Sequence, residues 1–418
     1  MIVLLPESIW LSPFVNDIQA LKIVSMVACQ QIKQVHKWRS KNEIKGRPKT
    51  QAEVLNEWAN IWSKNLKKVT PTYKTKLDEL INKNILERNP IYSNFKGNKF
   101  PKSFRFHQNI RTDNLFLMQI KQRKKPRRHR RKTGAFSSYH ETTMSWIDCF
   151  DLPEEFLQEY ETICEESTWP DYERLQIVEL NNKSWWHTVD KFGRYHTPLT
   201  NMNKKLRMFL CCKGSGIVGF DFANFQPALL EHFPTNSIAI QIPDREREHY
   251  KTLCKTGTIY EYMLEQTSHR TKAKAKEEFL AMLNKPNHSM KKMEMWTAFD
   301  RNFPHYSKVI QEIKVGSGKD PHKQMASFLM SKESQIIFGH VVKNFQEITS
   351  DSIPFFTIHD AVYTIKNSKK LLKQSMEEAI TNCKISTFCK GEEGSTTCYP
   401  SQPTNVTMKS EKNLWLSF

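Results

Sequence analysis

No stretch of this 418-residue chain approaches the roughly 20 consecutive apolar residues that a membrane-spanning helix requires, so a spanning role is not expected. The opening Ile2-Val3-Leu4-Leu5-Pro6 is apolar but has neither a charged leader nor a small-residue cleavage site, so it does not read as a signal peptide. There is no C-x-x-C among the nine cysteines, and no His stands near Cys383, Cys389 and Cys398 at zinc-finger intervals. Reduced thiols in a cytoplasmic protein are expected. No internal repeat is visible. Acid is scarce relative to base, with 44 Asp plus Glu against 63 Lys plus Arg and a net charge of +19. That imbalance favours a polyanionic partner, nucleic acid ahead of membrane, and is silent about fold.

The length admits two or three domains. Residues from about 15 to 90 read as helices, with apolar faces at Ile18, Leu21, Ile23, Val24 and Val27 and again at Val54, Leu55, Trp58, Ile61 and Trp62. Residues 91–106 alternate like a β-hairpin turning at Lys96, Gly97 and Asn98. A helix followed by a basic hairpin resembles a winged helix, a nucleic-acid-binding module; an ordinary small α+β packing unit is the alternative. Residues 121–132 are almost wholly basic and include Arg127, Arg128, Arg130 and Arg131. Such a block repels itself, which marks a linker or exposed loop; its role is a phosphate clamp, a targeting signal or a solvated run. Helical patterns then cover about 154–167, 258–284, 292–314, 322–347 and 368–382, and the tail from Lys390 is rich in Gly, Ser, Thr and Pro. The resulting division is a domain at 1–115, a basic linker at 116–140, a core at 141–389 and a loosely ordered tail at 390–418.

Two apolar runs each end in an aspartate. Ile217-Val218-Gly219-Phe220 leads to Asp221, and Phe355-Phe356-Thr357-Ile358-His359 leads to Asp360. A carboxylate at the end of an apolar strand loses water and needs a partner. A divalent cation shared by the two is one such partner and points to phosphoryl chemistry on a polyanion. For either aspartate alone, a helix cap or a satisfied polar group at a strand end is the competing account.

Four segments, taken in order, resemble family A nucleic-acid polymerases. Gly193-Arg194 through Thr197, Asn201 and Arg207 is similar to the segment that touches primer and template ahead of the first metal aspartate. Gly219-Phe220-Asp221-Phe222-Ala223-Asn224-Phe225-Gln226 looks like the first palm motif, with Gln226 where DNA-making members commonly carry Glu. Arg270, Lys272, Lys276 and Phe279 resemble the fingers helix, basic residues followed by an aromatic; a solvated Lys/Ala/Glu-rich face is the alternative. Thr357-Ile358-His359-Asp360-Ala361 is similar to the third motif, with Ala361 where DNA polymerases usually have Glu and single-subunit RNA polymerases a small residue. Upstream, Glu333 and Gln335 lie where the family has a polar helix beside the pocket, and the sequence does not choose between them.

The resemblance implies an α+β right-hand polymerase: a small antiparallel palm sheet and largely helical fingers, preceded by the winged-helix-like domain. It implies two Mg²⁺ ions, with Mn²⁺ as a substitute, held by Asp221, Asp360 and the Phe222 carbonyl. Arg270, Lys272 and Lys276 would hold a nucleoside triphosphate, Phe279 and Gln226 would line the nucleotide, and His359 would orient the primer end or support its turn. The expected partners are a primer-template and nucleoside triphosphates, the expected state a monomer, and the expected setting phage or plasmid replication in a bacterial host cytoplasm. No segment supplies the carboxylate set of a proofreading exonuclease. Three other readings stay open: a small RNA polymerase or primase-like enzyme, a non-catalytic DNA-binding replication protein, and a metal-dependent nuclease.

Overall fold

A computed structural model of the chain describes residues 2–42, 54–90, 102–111, 113–120, 131–183, 186–233, 240–315 and 320–393. It separates into two compact units, Met1–Arg207 and Met208–Phe418.

In the first unit the apolar opening is a strand, Ile2–Pro6, buried at all five residues and paired antiparallel with Leu115–Gln119. A strand without polar alternation must be covered on both faces. The helices Ile18–Asn42 and Pro170–Asn181 both pack against it, and Ser25 Oγ accepts the Leu4 N–H at 2.9 Å.

Residues 54–62 depart from the expected helical face and turn into the strand Ala59–Ile61. Gln31 explains part of this. Its side-chain amide donates to the carbonyls of Leu55 at 2.8 Å and Glu57 at 2.6 Å, while Gln34 donates to that of Trp58 at 2.9 Å. Carbonyls a continuing helix would bond internally are thereby taken up. After the helices Ser63–Val69 and Tyr73–Asn82, a three-stranded antiparallel sheet forms in the order Ala59–Ile61, Lys102–Phe106, Leu86–Arg88. The expected hairpin turn at 96–98 lies outside the described residues, as do Arg127, Arg128 and Arg130. The last residues of the basic run form a strand, Arg131–Thr133, parallel to Trp186–Val189.

The second unit centres on the strand Ser215–Phe222. On one side it pairs antiparallel with Ala361–Ile365, which forms a hairpin with Phe355–Ile358. On the other side it pairs with Cys211–Cys212 and with Cys389–Glu393. Residues 390–393, expected as the start of a loose tail, therefore complete the sheet. The physical reason is that the flank of Ser215–Phe222 presents unpaired N–H and C=O groups, and a short strand satisfies them whatever its composition. The helix Lys369–Cys383 packs on the strands Ser215–Phe222, Ala361–Ile365 and Cys389–Glu393.

Between the two aspartates the chain builds the helices Asp244–Thr256, Ile259–Glu265, Lys272–Asn284, Glu294–Asn302 and Pro304–Ile313. The expected continuous stretch over 258–284 breaks because Thr271 starts a new helix, its side chain accepting the Lys274 N–H at 3.2 Å. Pro304 opens the next break at the first helical position, where its missing N–H costs nothing. Aromatic rings hold this layer together: Phe299 lies 5.5 Å from Phe279 and 5.2 Å from Phe303, and Tyr250 lies 4.3 Å from Tyr306. The helix Lys323–Ile336 widens into a π-helical turn, Ile337–Val342, before Lys343–Thr349. The whole is α+β. Among the described residues no helix is long and apolar enough to cross a membrane, and no disulfide joins the described cysteines.

Candidate active site

Alternation along Ser215–Phe222 decides what each face of the central sheet carries. Gly219 stands opposite Tyr363 and Glu392, and Asp221 opposite Lys390, so these side chains share one face. Phe220, Phe222 and Cys389 share the other, where the Cys389 thiol lies within the fields of Glu377 and Lys373 on the helix Lys369–Cys383. That helix floors the sheet, and the Asp221 face is left for chemistry. Gly219 is required by this arrangement. A Cβ there would stand 2.4 Å from the Tyr363 ring, which stacks on Phe356 at 4.9 Å and donates its hydroxyl to Glu392 at 3.0 Å.

Phe220 pairs with Val362, and one step further the register sets Asp221 opposite Ala361, beside Asp360. Asp360 itself occupies a two-residue turn with His359, closed by the pairing of Ile358 with Ala361. His359 adopts a positive φ of 53°, the left-handed region that costs a side chain with a Cβ about 1–2 kcal/mol. The hairpin tip is tight, and it holds Asp360 at the end of a rigid pair of strands.

The electrostatics of the tip are dominated by like charge. The carboxyl of Asp360 is pushed up to about 7, first by burial, then by Glu333, with Asp221 adding to it and Lys276 opposing it. Asp360 keeps part of its surface open, yet the atoms packed around the carboxyl strip away its water. Glu333 is 2 % exposed on the helix Lys323–Ile336, whereas Gln335 points to solvent. Of the two, Glu333 is the one whose charge bears on Asp360. Tyr260, which sequence reasoning missed, is buried within the field of Asp360 and carries Lys276 Nζ 5.9 Å above its ring. Lys390 was also missed, because nothing in its Gly- and Ser-rich surroundings marks a strand.

The other expected residues are distributed unevenly. On the helix Lys272–Asn284, Lys276 acts on Asp360, while Lys272 pairs with Glu261 and Arg270 is exposed ahead of the helix. Phe279 is fully buried, its ring set edge-to-face against Tyr260 at 5.7 Å and Phe299 at 5.5 Å. It is a core residue here, with protein where a nucleobase was expected. Gln226 is half-buried on the short helix Phe225–Leu229 that follows Asp221. Phe222 buries its side chain against Phe225 at 4.6 Å, so only its backbone is available as a ligand.

In the first unit, Thr197 is buried and caps the turn Pro198–Asn201 by accepting the Leu199 N–H at 3.2 Å. Its hydroxyl is engaged within the fold. Arg194 and Arg207 are half-buried and Asn201 is exposed. The turn carrying Arg194 is held by Asp190, which accepts the N–H groups of Phe192 at 2.9 Å and Arg194 at 3.0 Å.

Asp221 and Asp360 supply the hard oxygen donors that suit Mg²⁺, and the like charge gathered with Glu333 is what a divalent cation would offset. Among the described residues no three His, Cys, Asp or Glu side chains are grouped so that together they could hold a metal ion. An ion here would take its remaining ligands from water or phosphate, as Mg²⁺ commonly does where phosphates react. The residues fit the group on these terms.

No protein-family model matches the chain. No curated protein matches it. Among solved structures it is similar to the POL domain of Pol1 from M. smegmatis in complex with DNA primer-template and dNTP, at 10% sequence identity and a TM-score of 0.39. The likeness covers 58% of this chain and 55% of that one, so the chain spans about half the length of that domain.

Proposed function

We propose that this protein performs template-directed nucleotidyl transfer, as a DNA polymerase of the family A type without proofreading, in phage or plasmid replication. The observation that carries the reading is that Asp221, on the central strand, stands next to the hairpin turn bearing Asp360, with burial, Glu333 and Asp221 raising the Asp360 carboxyl and Lys276 opposing them. Two Mg²⁺ ions held by Asp221, Asp360 and the Phe222 carbonyl would activate the primer 3′-hydroxyl and stabilise the leaving pyrophosphate. Lys276 would neutralise charge on the triphosphate as it develops. His359 would fix the Asp360 turn and stand beside the primer end. Arg194, Asn201 and Arg207 are proposed to touch nucleic-acid backbone, in keeping with donors that position without reading sequence.

The first unit supports a nucleic-acid role for residues 1–115. Among the described residues from Ile18 to Phe106 the order is helix, strand, two helices, strand, strand, with the last strand central in the sheet. This order is consistent with a winged-helix-like module.

Extension of a labelled primer-template in Mg²⁺ tests the catalytic reading. Asp221→Asn and Asp360→Asn should each lower extension on the order of 10²–10³-fold or more. Extension unchanged in both variants, or a labelled primer that is shortened instead of lengthened, rejects the proposal. A second reading, synthesis of RNA, draws on Gln226 and Ala361, which replace the carboxylates usual in DNA-making relatives. Comparing dNTP with rNTP incorporation separates the two.

A further inference from the structure

The three-stranded sheet of the first unit has a buried face and a solvent face. Ala59, Ile61, Leu86, Phe104 and Phe106 are buried on the inner one. Alternation places Trp58, Asn60 and Trp62 outward along the first strand and its ends, and Ser103 and Arg105 outward along the second. Carried one step from the pairing of Ala59 with Phe104, the register sets Trp58 opposite Arg105, which in turn stands opposite Glu87.

The outward row is ordered. The Arg105 guanidinium lies 4.2 Å from the centroid of the Trp58 ring, and its Nε donates to Glu87 at 3.0 Å. Glu87 also receives Arg111, whose Nε donates to the Phe106 carbonyl at 2.9 Å. Ser103 Oγ donates to Asn60 Oδ1 at 2.6 Å. Trp62 remains 46% exposed, four residues and about 13 Å along from Trp58. Next to this row lies a cavity of about 790 Å³ lined by Trp58, Arg105, Glu87, Arg88, Asn89 and His107, among others. That volume is in the range of small-molecule sites.

We propose that this solvent face is a stacking platform for single-stranded nucleic acid, with one base entering the cavity against the Trp58–Arg105 pair and a neighbouring base resting on Trp62. Stacking on an indole or a guanidinium needs bases whose faces are open, which single strands supply and a duplex does not. On this face Arg105 and Arg111 together outnumber Glu87, which suits a phosphate backbone. Asn60, Ser103 and Asn89 give the rim hydrogen-bonding groups that an apolar protein partner would leave unmatched. The site uses none of the residues of the catalytic reading and stands or falls separately from it.

The test is fluorescence anisotropy of labelled oligothymidylate and oligouridylate 12-mers with the full chain in EDTA, where no nucleotide transfer contributes. Trp58→Ala and Trp62→Ala should each weaken binding roughly 5- to 150-fold, while Trp58→Phe retains most of it. A duplex of the same length should bind more weakly and be little affected by the tryptophan changes. Crosslinking of an iodouracil oligonucleotide should map to the peptides carrying Trp58, Trp62 or Arg105. Unchanged affinity in Trp62→Ala and Trp58→Ala with unchanged melting temperature overturns the proposal, as do crosslinks confined to other peptides or binding restricted to duplex. Trp62 is exposed, so its variant keeps the test open if Trp58→Ala fails to fold. Binding lost in these variants while primer extension is absent altogether would sink the catalytic reading and leave this one standing.

Discussion

Glu333 acts on Asp360 from a different element: one is buried on the helix Lys323–Ile336, the other sits at the tip of the hairpin joining Phe355–Ile358 to Ala361–Ile365. Burial first and Glu333 next push the Asp360 carboxyl from an ordinary 3.8 to about 7. Between those values the folded protein holds a proton that the unfolded chain has lost. Stability from this group is therefore full below about pH 4 and is lost as pH rises through about 7. In EDTA the melting temperature should fall across that window. Glu333→Gln should move the fall to lower pH, and Asp360→Asn should abolish it. An identical profile in Glu333→Gln would show that the two carboxyls do not interact.

The same like charge predicts stabilisation by divalent cation. At pH 8, Mg²⁺ at 100 times its dissociation constant should stabilise the protein by about 2.7 kcal/mol. The gain should vanish in Asp221→Asn and Asp360→Asn, and shrink at pH 5.5, where Asp360 is protonated. Thermal melts read this without any turnover. A shift retained in both variants would place the ion elsewhere.

Gly219→Ala should destabilise by about 1–3 kcal/mol, because the new Cβ meets a ring that cannot retreat. Tyr363 is stacked on Phe356 with an interplanar angle of 5° and tied to Glu392. For a domain of this size the melting temperature should drop about 2–4 °C per kcal/mol. A paired Tyr363→Leu change should recover part of the loss. If Gly219→Ala melts like the parent, the ring is more mobile than its contacts indicate.

At His359 the backbone and the imidazole can be separated. With φ at 53°, His359→Gly should be more stable than His359→Ala by about 1 kcal/mol, since only the latter keeps the strained Cβ. Nucleotide incorporation normalised to folded protein then reports on the ring. Equal loss in both variants assigns the imidazole to the primer end; wild-type rates in His359→Gly make it a turn-former alone.

Much of this architecture is legible locally. The apolar runs ending at Asp221 and Asp360 are strands because alternating or continuous apolar residues bounded by polar turns have few other ways to bury themselves, and His359-Asp360 forms the two-residue turn joining Phe355–Ile358 to Ala361–Ile365. Helical periodicity over about 322–347 and 368–382 likewise falls on the helices Lys323–Ile336, Lys343–Thr349 and Lys369–Cys383. Short-range pattern failed where a distant partner sets the outcome. Residues 54–62 lost their helix to side-chain amides from Gln31 and Gln34, and Phe279, which the resemblance set beside a nucleotide, is claimed by Tyr260 and Phe299.

By itself, then, the sequence determined that two aspartates would stand at strand ends in a strongly basic chain, since that depends on residue order and on the preference of apolar runs for burial. Only the tertiary structure decided their setting. Glu333 and Gln335 are two residues apart on a helix, so they face opposite ways, and packing alone chose which would bear on Asp360. Lys390 came to stand opposite Asp221 because an unpaired strand flank takes whatever segment can satisfy it. Charge at a site is a property of neighbours in space, and the chain does not set those neighbours side by side until it folds.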